Sequence, residues 1–442
     1  MKVYKFGGTS AGSAERIKAL LPLTINGDSK IVVLSAMAGT TNDLVRITEL
    51  LFNSEKAVAA GLVEEMRQNY YNVVNDLLSK PEIISEGMEL INCHFDHIRG
   101  FTLKDFSKGM ARAIVAQGEL ISTALFRLYA VEQGIKATLL PALSYMRIDK
   151  DGEPDMYYIT QNLKRELSGH IDSQLIITQG FICRNAFGEV DNLKRGGSDY
   201  TATIIGAAIN AEEVQIWTDI NGVHNNDPRY VENTSVIRQL SFDEAAELAY
   251  FGAKILHPSS VNPARMKNIP VRLKNTMEPK DEGTLIWTQG EGRGYKAVAA
   301  KDGISVVKIK SDRMLMAYGF LRKVFEIFEI YKTPIDMITT SEVAVSLTID
   351  NIASIGRIVE ELEQFGTVEV DRNQSIICIV GNFIAEEAGT TLEIFSALKD
   401  IPVRMISYGG SRHNVSIVVD SALKVAALKS LSANLFNLGK DV

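Results

Sequence analysis

The sequence predicts an α/β protein with a mostly parallel sheet sandwiched by helices, followed by two interleaved ferredoxin-like α+β domains. Over residues 1–290, short apolar runs of the buried-strand type alternate with helical patterns, which is typical of a parallel sheet with helical crossovers. Closely spaced glycines over 290–294 then predict a linker, and an internal repeat fills the rest of the chain. The predicted domains are 1–290, 311–380, and 295–310 joined to 381–442.

The composition excludes several classes of protein. A net charge of -7 argues against a nucleic-acid or anionic-membrane surface, because either partner would require a basic field. Cys93, Cys183 and Cys378 are far apart and odd in number, so they predict neither a disulfide framework nor a zinc site. The start of the chain lacks a signal-peptide pattern, and no apolar run approaches the ~20 residues of a membrane span. We therefore expect a soluble cytoplasmic protein.

The first predicted strand ends in a glycine turn, Lys5 to Ser10 (KFGGTS). Gly7 and Gly8 allow the backbone to turn with its N–H groups uncovered. An amphipathic helix from about Ser13 points its positive end at the same place, so a phosphate would fit there. Because most glycine pairs only form tight turns, the purely structural interpretation also stays open.

The next predicted elements place polar residues at strand ends. The runs in question are the strands Ile31 to Leu34, Gln174 to Thr178 and Val214 to Trp217, with a helical pattern from Lys108 to Val131. Ligands of parallel sheets bind beyond the carboxyl ends of the strands. Lys5, Ser35 and Thr218 fall at or just after such ends, so we expect them to line one crevice.

A second glycine turn, Arg195 to Asp199 (RGGSD), opens an apolar helix that runs from Tyr200 to Ile209. Further along, a polar loop with Arg229 follows a buried strand, and Lys254 stands beside a glycine. Two glycine turns and four cations suit two anionic ligands, such as a triphosphate and a carboxylate. The alternative for each cation taken alone is a solvated surface charge.

The C-terminal repeat predicts the two smaller domains. Phe325 to Asp350 is echoed by Leu392 to Asp420, and each copy follows the ferredoxin-like order of strand, helix, strand, strand, helix. The second copy ends at a helix, Ala422 to Phe436, with no strand left to close its sheet. We expect the unassigned strand Ile304 to Ile309 to complete it, and association with another copy of the chain to cover the exposed edges.

Taken together, these motifs resemble the aspartate kinases (aspartokinases) of the amino-acid kinase family, and the repeat resembles their pair of ACT regulatory domains. The matching segments are Lys5 to Ser10, Leu34 to Asn42, Gly118 to Leu120, Arg195 to Asp199, Trp217 to Arg229, and Phe251 to Pro258. The resemblance implies the amino-acid kinase fold and ATP-dependent phosphorylation of the side-chain carboxylate of L-aspartate to 4-phospho-L-aspartate. That is the first step of lysine, threonine and methionine biosynthesis.

The resemblance also implies the residues of each site. Lys5 and Asp199 would be catalytic. The ATP site would comprise Lys5, Gly7, Gly8, Thr218, Asp219, His224, Arg229, Lys254 and Ile255. The aspartate site would comprise Ser35, Thr41, Glu119, Arg195, Gly197 and Ser198. A lysine effector site would comprise Met314, Phe320, Leu321, Asp336, Ser341 and Glu342. Mg²⁺ would arrive with ATP, and the chain would form a homodimer or homotetramer through its ACT domains.

The chemistry agrees with the absence of a catalytic triad. A carboxylic acid has a pKa near ~4, so the acceptor is already ionised at neutral pH and no general base is required. The reaction instead needs in-line positioning and neutralisation of charge on the transferred group.

Several alternatives remain at this stage. Glu119 also fits a solvated helix residue, and Asp199 a first-turn acid favoured by the helix dipole. His94 and His97 could bind a metal, although a surface helix end explains them equally well. The whole chain could be a kinase of the same fold acting on glutamate or N-acetylglutamate, or a non-catalytic amino-acid sensor.

The chain also departs from the pattern of its relatives. Ala11 stands where relatives often carry a larger apolar residue, Lys194 where they carry glycine, and His224 where they carry tyrosine. Ala317 and Pro334 both stand where relatives often carry serine. They put adenine packing and effector affinity in question.

Overall fold

The computed structural model describes the chain except residues 28, 171, 194–195, 253–255, 291, 293, 311–317 and 437–442. The chain divides into two compact units. The first unit is Met1–Gly222 with Leu256–Gln289, and the second unit is Val223–Ile255 with Gly290–Val442. Residues 223–255, which fall inside the first predicted domain, therefore cluster with the second unit. The exact domain boundaries remain predictions.

The first unit is built on a mostly parallel sheet, which confirms the predicted class. The strands in chain order are β1 (Lys2–Phe6), β2 (Lys30–Leu34), β3 (Ala137–Leu140), β4 (Leu175–Gln179), β5 (Ile182–Arg184), β6 (Val190–Asn192), β7 (Val214–Thr218), then, after β8 (Gln239–Ser241) of the second unit, β9 (Val271–Asn275) and β10 (Thr284–Trp287). Seven of these run in the order β3-β4-β2-β1-β7-β9-β10. Only β10 is antiparallel to its neighbour β9, and β5 and β6 form a separate hairpin.

Helices surround this sheet. They are α1 (Ala14–Thr24), α2 (Thr40–Phe52), α3 (Lys56–Leu77), α4 (Pro81–Thr102), α5 (Lys108–Val115), α6 (Gln117–Glu132), α7 (Ala142–Tyr145), α8 (Met156–Ser168), α9 (Gly197–Ile209) and, after α10 (Phe242–Tyr250) of the second unit, α11 (Pro258–Met266). Ser13 caps α1 by accepting a hydrogen bond from the Arg16 N–H, where the sequence predicts the helix start. Every residue of β2 and β4 is buried, because helices cover both faces of the sheet.

One predicted helix divides into two. The pattern from Lys108 to Val131 forms α5 and α6, which meet at Ala116. Among the described residues, Lys108–Glu132 has the length and apolar content to cross a membrane, but 72% of its most apolar window is buried inside the protein. Burial of that extent is typical of a core helix.

The register of the parallel strands brings their carboxyl ends to one edge, here named the carboxyl edge. Phe6 pairs with Leu34 on one side and with Trp217 on the other, and Leu34 pairs with Gln179. The segments that follow β1, β2, β4 and β7 therefore start side by side.

The second unit contains one six-stranded sheet in the order β12-β13-β11-β14-β16-β15. Its further elements are β11 (Gly294–Lys310), α12 (Phe320–Ile330), β12 (Ile338–Thr340), β13 (Ala344–Ile349), α13 (Ile355–Leu362), β14 (Thr367–Asn382), α14 (Thr390–Ala397), β15 (Val403–Ser407), β16 (Asn414–Asp420) and α15 (Lys424–Leu435). Two separate apolar cores form on this sheet, one beneath α12 and α13 and one beneath α14 and α15. The two predicted repeats are thus both present.

The prediction of the strand that closes the second copy is wrong. Residues 305–310 pair with β13, and residues 306–310 also pair with residues 367–371 of β14, so the segment Ile304 to Ile309 belongs mainly to the first copy. Residues 294–301 pair instead with residues 376–382 of β14, next to β16. The long strands β11 and β14 run through both halves, and a register shift between Lys301 and Ile304 separates them. The domains are interleaved as predicted, but through a different segment.

Candidate active site

Lys5 and Asp199 meet at the carboxyl edge. Lys5 Nζ lies 2.7 Å from Asp199 Oδ1, and both side chains are largely buried. Their separation is that of an ion pair, although the angles do not make it an aligned hydrogen bond. Asp199 lies in the first turn of α9, close to the positive end of the helix. The Lys5 ammonium is held by one carboxylate and keeps a small exposed fraction, so it can still contact an anionic group on its solvent side.

The glycine turn after β1 is closely packed. The Gly7 N–H donates to the Trp217 carbonyl, so it is not available to a phosphate, contrary to the role expected for it. Its lack of a side chain matters instead, because a Cβ there would lie 3.3 Å from Lys5 Nζ. A Cβ on Gly8 would lie 3.0 Å from the Ala36 carbonyl oxygen. The turn after β1 and the loop after β2 are therefore in direct contact.

Glu119 is buried beside that loop. Its side chain is 3% exposed, and its Oε1 accepts a hydrogen bond of 3.2 Å from the Ala36 N–H. Its Oε2 is buried without a hydrogen-bond partner. Burial raises the pKa of Glu119 to about 7, and the Ala36 N–H only partly opposes this. A buried carboxylate with a free oxygen is suited to a cationic ligand group, so the solvated-helix interpretation is wrong.

The loop after β2 is held by residues that the sequence analysis did not identify. The Ser122 hydroxyl donates to the Ser35 carbonyl at 2.9 Å, which fixes the start of the loop. Thr40 and the buried Tyr70 hydroxyl share a hydrogen bond of 2.7 Å at the start of α2. Thr41 follows directly in the same helical turn. Ser35 and Thr41 are thus both positioned at the carboxyl edge.

Gly197 and Ser198 form the N-terminus of α9 and pack against the end of β4. A Cβ on Gly180 would lie 2.4 Å from Ser198 Oγ and 2.9 Å from its Cα. Phe181 adopts a positive φ of 64°, and its ring would lie 2.3 Å from a Cβ on Gly197. Positive φ is rare for a bulky residue and is maintained only by strong surrounding contacts. A glycine directly after a buried strand was the available signal for this contact.

Thr218 and Asp219 end the next strand. The Thr218 hydroxyl donates to Asp219 at 3.1 Å, and the Thr218 carbonyl accepts from both the N–H and the hydroxyl of Thr276 at 2.9 Å. Ser10 lies 3.2 Å from the Thr276 hydroxyl. The glycine turn and the end of β7 are consequently connected by a short polar chain.

Comparison with known proteins shows the family of the chain. The amino acid kinase family model matches residues 1–275, and an ACT domain model matches residues 377–435. The chain is 33% identical to the lysine-sensitive aspartokinase 3 of Escherichia coli (strain K12), over 98% of this chain and 99% of that protein. The chain belongs to the aspartokinases. Residues 1–275 therefore carry the kinase fold of that family, and the C-terminal repeat carries ACT domains.

Two solved structures are similar to this aspartokinase along its length. The E. coli aspartokinase III complex with aspartate and ADP, in the R-state, has a TM-score of 0.83 at 32% identity, covering 99% of this chain and 100% of that one. The complex of the same enzyme with lysine and aspartate, in the T-state, has a TM-score of 0.82 at 32% identity, covering 99% of both chains.

Other predicted ATP-site residues of the aspartokinase lie in the second unit or outside the described residues. His224 Nδ1 lies 2.8 Å from the Thr234 hydroxyl, and burial lowers its pKa. Arg229 forms an ion pair of 2.6 Å with Asp227 and is otherwise exposed. Arg195, Lys254 and Ile255 lie outside the described residues, as does Lys194.

The predicted effector residues belong to the first ACT copy. Phe320 packs in its apolar core, whereas Leu321 and Glu342 are exposed. Ser341 N–H donates to the Ala344 carbonyl at 2.8 Å, which closes the turn between β12 and β13. Asp336 has a side chain only 2% exposed. Met314 and Ala317 lie outside the described residues.

The histidines on α4 do not form a metal site. His94 Nδ1 lies 2.7 Å from Gln117 on α6, and His97 packs edge-on against Phe101. Among the residues that the structure describes, no three His, Cys, Asp or Glu side chains converge to hold a metal ion. His94 serves to join two core helices.

Proposed function

We propose that the carboxyl edge of the first unit transfers the γ-phosphoryl group of ATP to the side-chain carboxylate of L-aspartate, giving 4-phospho-L-aspartate and ADP. The observation that carries this proposal is the Lys5 and Asp199 ion pair beside a glycine turn, with the buried Glu119 on the adjoining loop. Aspartate and ADP are bound by a structural relative that matches 99% of the chain.

The transfer forms one bond and breaks one bond. A side-chain oxygen of aspartate attacks the γ-phosphorus, and the bond to the β,γ-bridging oxygen breaks with its electron pair remaining on ADP. No proton needs to move, because the acceptor is ionised. Lys5 neutralises charge on the transferred group, and Asp199 keeps the ammonium in place. The Gly8 N–H, rather than that of Gly7, cradles a phosphate.

Aspartate is recognised by its own charges. Glu119 takes the α-ammonium group, for which its unpartnered Oε2 is available. Ser35, Thr41, Gly197 and Ser198 surround the amino acid, and Arg195 takes its α-carboxylate. A cation next to Glu119 restores the ionised form of this carboxylate, because opposite charge lowers a raised pKa. This favours a free amino acid over an acylated one, whose nitrogen carries no charge.

The nucleotide is held at the other side of the glycine turn. Thr218 and Asp219 contact it, with Lys254 and Ile255 as further predicted contacts. Arg229 is paired with Asp227, and its role in nucleotide binding stays a prediction from the family resemblance. Mg²⁺ enters as part of the nucleotide substrate, bound to its phosphates. We place the enzyme in the cytosol, where its three free cysteines remain reduced.

Lysine inhibits this enzyme through the first ACT copy. A lysine-sensitive relative and a lysine-bound structure of the same family support the proposal. Asp336 and Glu342 would supply the negative charge that a cationic amino acid requires. For binding to inhibit, lysine must favour a less active arrangement of the protein.

The test is ADP release by the purified full-length chain with MgATP and each of L-aspartate, L-glutamate and N-acetyl-L-glutamate, with and without L-lysine. We expect turnover with aspartate alone, and its suppression by lysine. Equal turnover with glutamate would overturn the substrate assignment, and no turnover with any acid would favour the amino-acid sensor.

A further inference from the structure

Asp336 already holds an ammonium group. Lys301 Nζ lies 2.7 Å from Asp336 Oδ1, and the Tyr250 hydroxyl donates to the same oxygen at 3.1 Å. The other oxygen, Oδ2, is buried and has no hydrogen-bond partner. The carboxylate proposed for a lysine effector is therefore in contact with a lysine side chain of the protein itself.

Lys301 is shared between two carboxylates. Its Nζ also lies 2.9 Å from Asp350 Oδ2, and 4.9 Å from the ring centroid of Tyr250. It stands at the register shift of β11, between the two halves of the sheet. One ammonium thus serves two acids, and this cluster keeps an excess negative charge.

The pKa shifts of Lys301 and Asp336 agree with this excess of negative charge. Burial works against the charge on Lys301, but its hydrogen bonds to Asp336 and Asp350 outweigh it and leave the pKa of Lys301 raised. Burial raises the pKa of Asp336, and Lys301 only partly reverses the effect. Asp336 therefore remains short of positive charge even with Lys301 in place.

We infer that Lys301 is an internal ammonium ligand that competes with the ammonium group of the effector for Asp336. The inference rests on the proposed function, because only there is Asp336 an effector residue. Binding of free lysine must then either displace Lys301 or share one carboxylate with it. In both cases Lys301 weakens effector binding.

Removal of Lys301 should strengthen the binding of lysine. Without its ammonium, Asp336 and Asp350 present two uncompensated carboxylates to the ligand. Attraction between a cation and a carboxylate a few ångströms away is large enough at the permittivity of a partly buried site to change the affinity roughly tenfold. Asp350→Asn should weaken the binding of lysine, because Lys301 would then have Asp336 as its single carboxylate partner and would neutralise it more fully.

The experiment measures L-lysine binding to the full-length protein by isothermal titration calorimetry, alongside the lysine concentration that halves kinase activity. The variants are Lys301→Met, Lys301→Arg and Asp350→Asn. Lys308→Met is the matched control, because Lys308 lies on the same strand and makes a similar ion pair of 2.6 Å with Asp371. Circular dichroism verifies that each variant is folded.

We expect Lys301→Met to lower the dissociation constant for lysine about tenfold and Asp350→Asn to raise it several-fold. Lys301→Arg and Lys308→Met should stay within about twofold of the parent. Unchanged or weaker binding by Lys301→Met would overturn the inference while leaving the effector proposal intact. If Lys301→Met fails to fold, tighter or unchanged binding by Asp350→Asn overturns it. Absence of lysine binding in the parent and in every variant would instead remove Asp336 from the effector site, and the inference with it.

Discussion

At the level of single residues, charged side chains of the site lack some of the partners that a buried charge requires. Lys5 has one carboxylate partner in Asp199 and faces the glycine turn, while Glu119 keeps one buried oxygen without a partner. Buried polar groups are normally satisfied, and exceptions occur where a ligand completes them. These two positions thus mark where the transferred phosphoryl group and the substrate ammonium belong.

The first prediction concerns Lys5 and Asp199. Lys5→Ala should lower kcat roughly 10²–10³-fold, because an oriented charge is lost from the transition state. Asp199→Ala should lower kcat as well, by leaving Lys5 without its anchor. Lys2→Ala, at the opposite end of β1, is the control and should keep the parental rate. Steady-state ADP release and thermal unfolding separate catalytic loss from misfolding, and parental rates in both variants would refute these roles.

The second prediction concerns pH. Burial raises the pKa of Glu119 to about 7, so in the enzyme without aspartate this carboxyl group is largely protonated below that pH. Only the carboxylate attracts an ammonium group, so the KM for aspartate should fall as the pH rises toward about 7 and then level off. Glu119→Gln should raise this KM and flatten its pH dependence, while the KM for ATP changes little. An unaltered profile in Glu119→Gln would contradict the assignment.

The same residue gives a prediction for stability. In the unfolded chain Glu119 ionises near 4.5, whereas in the folded protein it keeps its proton until about 7. The folded state binds more protons between these values, so this residue's contribution to stability falls as the pH rises across that range. Glutamine does not ionise, so the midpoint of thermal unfolding of Glu119→Gln minus that of the parent should increase as the pH rises through the same interval. A constant difference would show that Glu119 ionises normally.

At the scale of elements, close packing at glycines sets the geometry of the site. The sequence was sufficient to predict β1, the start of α1 and the glycine turns, because their signals are local. It did not predict that Gly180 abuts Ser198, or that Ser122 holds Ser35, since these contacts join residues far apart in the chain. The segment closing the second ACT copy was mispredicted for the same reason, because strand pairing is decided by long-range register.

The prediction at this scale is made with Gly180→Ala. Its Cβ would meet Ser198 Cα at 2.9 Å, a backbone contact that cannot yield easily, so the first turn of α9 must shift. The kcat/KM for aspartate should fall roughly tenfold or more, since small displacements of a site are costly. Gly61→Ala in α3 is the control: its Cβ meets nothing within 4 Å, and alanine favours a helix. Equal kcat/KM in both variants would show that this contact does not position the substrate.

At the scale of the whole molecule, an edge strand predicts association. All three residues of β12 are exposed, and it stands at one end of the order of the six-stranded sheet. The Thr339 hydroxyl of β12 donates to the Ile406 carbonyl of β15 at 3.2 Å, but among the described residues only β13 pairs with the backbone of β12. Sheet edges whose backbone is left unpaired are usually protected by association, which agrees with the predicted dimer or tetramer. Sedimentation should give a mass two or four times 48.7 kDa, and Ile338→Lys should shift it toward the monomer. A parent protein that sediments as a monomer at micromolar concentration would contradict this.

Aspartate itself should accept the phosphoryl group at the carboxyl edge. An acyl phosphate reacts with hydroxylamine to give a hydroxamate, so the product can be trapped directly. With MgATP, L-aspartate and hydroxylamine, the enzyme should form the side-chain hydroxamate of aspartate in step with ADP, and Lys5→Ala should lose both together. ADP released without hydroxamate would mean that water is the acceptor, which would contradict the proposed transfer to aspartate.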